Sequence, residues 1–316
     1  AQVKQYAKES GIGWHTEQPN ERLKETDPQF AERMLHFADV EVARDPETEL
    51  EPTTRYLAIL ATLLGCQGAD EFRIQLGRAL DAGLTPVQAK EVVHQAVDYL
   101  GIGRVRPFLA IRNEVLEARG VALPLPDQTT TTMENRLEAG NAKQVELFGE
   151  GMDKSYERSK VNYWLADNCF GDYYTRTGLT NLQREMITFC YLAAQGSVEP
   201  QLLAHTKANI ALGNTADFLR TVVLQNLPYI GYPRTLNALR IVAEADKAKQ
   251  GAAFNLQALA WGGLLPDEGA RIRGGIVREH RLHDCAIRRI IGIFSLTHCE
   301  IGRAILHPYM RRRING

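Results

Sequence analysis

The chain of 316 residues is 44% hydrophobic and 24% charged with a formal net charge of −1, a balance that excludes disordered and collagen-like proteins and gives enough length for two cores rather than one. No apolar run reaches the length a bilayer needs, and the opening AQVKQYAKES is too polar for a secretory signal, so a cytoplasmic protein with no membrane partner is expected. Five cysteines, an odd number with no C-x-x-C pair, exclude a disulfide scaffold and a dithiol redox motif.

Taken in chain order, Asp27-Pro28 opens a helix that runs through Phe30, Met34, His36 and Phe37. From Arg55 to Leu64 the apolar residues run nearly all round, which predicts a buried central helix. Gly83 stops the next helix, and Thr85-Pro86 with Gln88 restarts the chain through a capping box. Tyr99-Leu-Gly-Ile-Gly-Arg104 breaks one helix and starts another. Residues 121–132 (VALPLPDQTTTT) hold two prolines and a threonine run, which marks a linker. Beyond it the order recurs: Thr180 with Gln183 caps a helix, Arg184 to Ala194 is apolar nearly all round, Gly213 stops, Thr215 restarts, and Tyr229-Ile-Gly-Tyr-Pro-Arg234 breaks.

That recurrence is a repeat. Residues 55–114 align with 185–244 without a gap, and eleven positions are identical between 83 and 114, among them Gly83/Gly213, Gln95/Gln225, Tyr99/Tyr229, Gly101/Gly231 and Arg104/Arg234. Strands are not predicted. The expected architecture is all-α, with one repeat in 1–120, the linker 121–132, a second repeat in 133–245 and a tail in 246–316. The tail carries ten Arg and two Lys against six acidic residues, a surplus of six positive charges that leaves residues 1–245 at −7. A basic block can signal nucleic acid, but the abrupt change of composition favours an appended or read-through segment, and no nucleic-acid partner is expected.

The second repeat, through Leu182-Gln-Arg-Glu185, Glu199-Pro-Gln-Leu-Leu-Ala-His205, Gly213 and Pro228-Tyr-Ile-Gly-Tyr-Pro-Arg234, closely resembles the carboxymuconolactone decarboxylase family. Asn168 to Gly178 and, in the first repeat, Arg55-Tyr-Leu-Ala-Ile-Leu-Ala and Ala79-Leu-Asp-Ala-Gly83 extend the likeness over about residues 28 to 245. The resemblance implies two tandem alkylhydroperoxidase D-like helical repeats. Single-repeat members are typically hexamers, so a fused pair implies a homotrimer.

Alkylhydroperoxidase relatives place a Glu, two Cys and a His along two helices. Glu185 and His205 match the outer members of that set, while Ser197 and Gln201 stand at the cysteine positions. The first repeat has Cys66 near the first cysteine position, but Arg55 replaces the Glu, Glu71 the second Cys and Gln75 the His. Decarboxylation needs neither thiol nor cofactor, because a carboxylated butenolide is its own electron sink; the protein must desolvate the leaving carboxylate and deliver a proton. His205 is the expected proton donor with Glu185 orienting it, and Arg234 or Arg104 after the Tyr-x-Gly turn is suited to hold a substrate carboxylate. Tyr229 and Ser197 complete the expected substrate-binding set. His94 sits where some single-domain relatives carry a second histidine, and Leu224 is its counterpart.

Three readings therefore stay open at this point: a cofactor-free carboxy-lyase acting on a small carboxylated lactone, a peroxide reductase using Cys66 alone, and a non-catalytic oligomeric scaffold. In each of the first two the partner is a small-molecule substrate. Gly11-Ile-Gly13 and Gly101-Ile-Gly103 do not complete a nucleotide-binding loop. His280, His283, Cys285, His298 and Cys299 match no zinc spacing, and no metal is expected.

Overall fold

A computed structural model describes residues 19–262 of the backbone and 23–249 of the side chains. The basic tail beyond residue 262, with the histidines and cysteines expected not to form a zinc site, lies outside the described residues. Those described are helical, with no strand among them. Helices α1 (Pro19–Thr26) and α2 (Pro28–His36) lead in, and α2 runs on as a π-helical segment Phe37–Val42. The first repeat continues with α3 (Pro52–Gly65), α4 (Ala69–Asp81), α5 (Pro86–Leu100) and α6 (Ile102–Ala118). The second has α7 (Arg136–Phe148), α8 (Lys160–Trp164) with its π-helical continuation Leu165–Tyr174, α9 (Asn181–Gln195), α10 (Glu199–Leu212) and α11 (Ala216–Gly262). A break at Gly231 (φ 73°) divides α11 into two segments that correspond to α5 and α6. Both repeats thus lead in with an α-to-π helix and then run four helical segments.

The local reasons are those the residues dictate. Asp27 caps α2 by accepting from the Phe30 N–H, with Pro28 at the first position. Capping boxes open α5 (Thr85 with Gln88) and α9 (Thr180 with Gln183). Gly83 and Gly213 sit at φ 98° and 121°, where a Cβ is strained.

One apolar core draws on both repeats: Leu57, Leu60 and Leu64 of α3 cluster with Met186, Phe189 and Tyr191 of α9. The two central helices touch at Gly65, where a Cβ would lie 2.6 Å from the Tyr191 carbonyl oxygen. The identical glutamines explain themselves here. Gln95 of the first repeat donates to the Arg184 carbonyl and the Thr188 hydroxyl at the start of α9, while Gln225 of the second accepts from Arg55 Nε at the start of α3 at 2.7 Å. Each repeat therefore ties down the first helix of the other. The linker residues are also fixed: Thr130 and Thr131 donate to the carbonyls of Thr175 and Gly171.

Candidate active site

Helices α9 and α10 bring Glu185 and His205 together. Glu185 is fully buried, and its Oε2 lies 2.8 Å from Nδ1 of His205, whose side chain is 12% exposed. Asn209, one turn along α10, donates to the carbonyls of both residues and so locks the register of the two helices at the pair. The imidazole is held edge-on between two rings, Tyr99 at 5.4 Å and Phe148 at 5.5 Å between centroids. Phe148 comes from the end of α7 and packs on Phe170 of the lead-in segment. Because Nδ1 is committed to the carboxylate, Nε2 is the nitrogen left to meet a substrate. The other carboxylate oxygen, Oε1, has no partner among the described residues.

Tyr99 belongs to the first repeat, so this site is completed across the repeat boundary. Its hydroxyl is 2.6 Å from that of Tyr174, which is 2.8 Å from Thr188 Oγ1, which in turn accepts from Gln95. Burial holds both phenols well above their ordinary range, so this chain of hydroxyls stays protonated. Beside it Asp98 is pushed up to about 8 by burial, against the lowering effect of a hydrogen bond from Cys169 and with Asp172 adding repulsion. The Cys169 thiol is itself pushed far up by burial.

The remaining sequence candidates are distributed elsewhere. Cys66 and Tyr229 line one cavity of about 350 Å³, together with Glu71 and Gln75. Cys66 Sγ lies 3.9 Å from the Tyr229 carbonyl. Burial raises the Cys66 thiol, against the lowering effects of the Gly68 backbone and the Arg234 charge. Arg234 is exposed beside Gly196, and Arg104 donates to Gln195 at 2.8 Å. Ser197 is exposed in the turn between α9 and α10, at φ 60°. His94 stands apart from these groups; burial, with the cations Arg112 and Arg176 nearby, lowers it to about 4.

Sequence reasoning missed Tyr99, Tyr174, Thr188 and Phe148 as neighbours of the pair. Tyr99 had a signal, since it is identical to Tyr229, but the repeat identity cannot say that each tyrosine serves the opposite half. It also missed the ion cluster that joins the repeats, in which fully buried Glu91 holds Arg176 at 2.9 Å and Arg184 at 3.2 Å. Among the described residues no group of three His, Cys, Asp or Glu side chains has the geometry of a metal site, and no helix is long and apolar enough to cross a membrane.

Comparison with known proteins supplies the rest. Residues 28–114 and 160–244 each match the carboxymuconolactone decarboxylase family. No curated protein matches the chain.

Proposed function

The chain belongs to the carboxymuconolactone decarboxylase family, and from that premise we propose that it is a carboxy-lyase, or a proton-transfer enzyme close to one, acting on a small carboxylated lactone through Glu185 and His205. The observation that carries the proposal is the 2.8 Å contact between a fully buried carboxylate and an imidazole still 12% exposed. A general acid needs that arrangement: one nitrogen fixed, the other presented.

In a butenolide carrying the carboxylate on its γ carbon, the bond to the carboxylate breaks and CO₂ leaves. The electron pair shifts through the ring double bond onto the lactone carbonyl oxygen. His205 Nε2 then delivers a proton to the α carbon, and solvent returns a proton to the imidazole. Glu185 fixes the tautomer and direction of the imidazole and offsets its charge before transfer. The aromatic faces of Tyr99 and Phe148 exclude water from a reacting carboxylate, which favours release of neutral CO₂.

A thiol peroxidase is the weaker reading. Burial raises the Cys66 thiol, thiolate being the reactive form, and Glu71 stands at the expected position of the second cysteine. The test is a parallel assay of lactone carboxylates and hydroperoxides on the wild type and on His205→Gln. CO₂ release by the wild type that falls at least about 100-fold in the variant and survives iodoacetamide is the expected result. Undiminished turnover in His205→Gln, or peroxide reduction lost in Cys66→Ser, overturns it. Turnover of neither substrate class would also overturn it and would favour the scaffold.

A further inference from the structure

Glu185 and His205 stand on different helices, so the 2.8 Å contact between them holds only while α9 and α10 keep their spacing at that level. Asn209 spans the gap. It lies one turn after His205 and is fully buried, and its Nδ2 donates to the Glu185 carbonyl at 2.9 Å and to the His205 carbonyl at 2.8 Å. Gly213, at φ 121°, ends α10. Asn214 follows, and its Nδ2 donates to Asn209 Oδ1 at 2.8 Å and to the carbonyl of Leu182, in the first turn of α9, at 3.0 Å. The Asn209 amide thus has its donor side on two carbonyls and its acceptor side on a donor, and a flipped placement would set oxygen against oxygen. Glu185 and His205 are therefore joined twice, once through their side chains and once through their main chains.

The duplication supplies an internal control. In the first repeat the residues aligned with Asn209 and Asn214 are Ala79 and Leu84, both part of the apolar core. The positions of the pair hold Arg55 and Gln75 there. The same fold thus closes without either amide in the half that has no carboxylate–imidazole pair. Replacing both partners of a buried hydrogen bond by apolar groups is close to neutral for stability, so folding alone gives no reason for two amides in the second repeat. Orienting an acid does give one: it needs placement to within about 0.5 Å, and a hydrogen bond is directional where apolar contact is not.

We propose that Asn209, backed by Asn214, is the positioning residue of the Glu185–His205 pair. Fully buried, it touches no substrate and acts through the two residues whose main chains it ties. It keeps Nδ1 on the carboxylate and so keeps Nε2 aimed in one direction. The role rests on the reading of His205 as the proton donor, but the geometry it controls can be measured without substrate.

The test follows the His205 Nδ1–H proton by NMR in the full chain carrying isotope-labelled histidine, with the signal assigned by its loss in His205→Gln. A slowly exchanging proton is expected in the wild type, and exchange at least about tenfold faster in Asn209→Ala, as the loss of two hydrogen bonds implies. Ile210→Ala, which removes core packing from the same helix but no hydrogen bond, should leave the signal as it is. Asn209→Ala combined with Asn214→Leu copies the first repeat: it should melt no lower than Asn209→Ala alone, yet exchange as fast. In the lactone assay Asn209→Ala should lower kcat about tenfold with KM little changed. A wild type without a protected signal, unaltered exchange or undiminished kcat in Asn209→Ala, equal acceleration in Ile210→Ala, or recovery of the signal in the double variant overturns the proposal. A wild type that turns over no lactone carboxylate overturns the lyase reading alone, and the NMR comparison still decides the role of Asn209.

Discussion

Single residues in this protein have their titration set by which face of a helix they occupy. Asp98 and His94 lie one turn apart on α5, yet burial moves them in opposite directions, Asp98 up to about 8 and His94 down to about 4. In each case burial disfavours the charged form. The consequences for stability have opposite signs. Between pH 3.8 and about 8 the unfolded chain has released the Asp98 proton that the folded chain retains, so stability falls as pH rises through that window. Asp98→Asn removes this dependence: a higher melting temperature than wild type is expected at pH 8, with the gain shrinking toward pH 4, measured by thermal unfolding across that range. For His94 the unfolded chain takes up a proton near pH 6.5 that the folded chain refuses until about 4, so stability is lost as pH falls between those values. His94→Leu, which copies the residue at the equivalent position of the second repeat, should flatten that acid limb.

Between elements, the close approach of α3 to α9 and the buried ion cluster hold the repeats together. A side chain at Gly65 collides with the backbone of α9 rather than with a movable side-chain tip, so Gly65→Val should cost more than the roughly 1–3 kcal/mol typical of overpacking, read as a lowered denaturant midpoint. Glu91→Ala strands Arg184, which is 1% exposed, and should cost about 3–5 kcal/mol in chemical denaturation. A loss below about 1 kcal/mol would show that the cluster is dispensable. Helix starts and stops were legible in Thr85, Thr180, Gly83 and Gly213, because caps act over three or four residues. The passage of α2 and α8 into π-helical segments was not predicted, since one added residue per turn changes little in local composition.

For the molecule as a whole, the repeats do not have separate cores. The apolar side of α3 is covered by α9, and Gln95, Gln225 and Glu91 bind across the boundary. A fragment of residues 28–118 should therefore fail to unfold cooperatively when expressed alone and should recover cooperativity when mixed with residues 133–249, as calorimetry will show. Assembly beyond one chain is proposed from the family likeness together with Ile102 and Tyr232, which are exposed at equivalent positions just after the two Gly turns. Light scattering is expected to give a trimer of chains, and Tyr232→Glu to shift it toward smaller species.

By itself the sequence determined that the chain is helical, that its unit is duplicated and where the principal helices start and stop, and its likeness to one family singled out Glu185 and His205 as candidates. Those features depend on short-range spacing and on identity at a fixed offset, both of which a linear string carries. Only the tertiary structure decided how the candidates are partitioned. It set Tyr99 beside His205, moved Tyr229 to Cys66, left His94 with neither, and gave one half a chain of bonded hydroxyls and the other a cavity lined by Cys66, Glu71, Gln75 and Tyr229. The physical reason is that the duplicated halves interlock through their third helices, so each site is built from residues more than a hundred positions apart, and which half supplies a neighbour is fixed by packing across the core rather than by any local pattern.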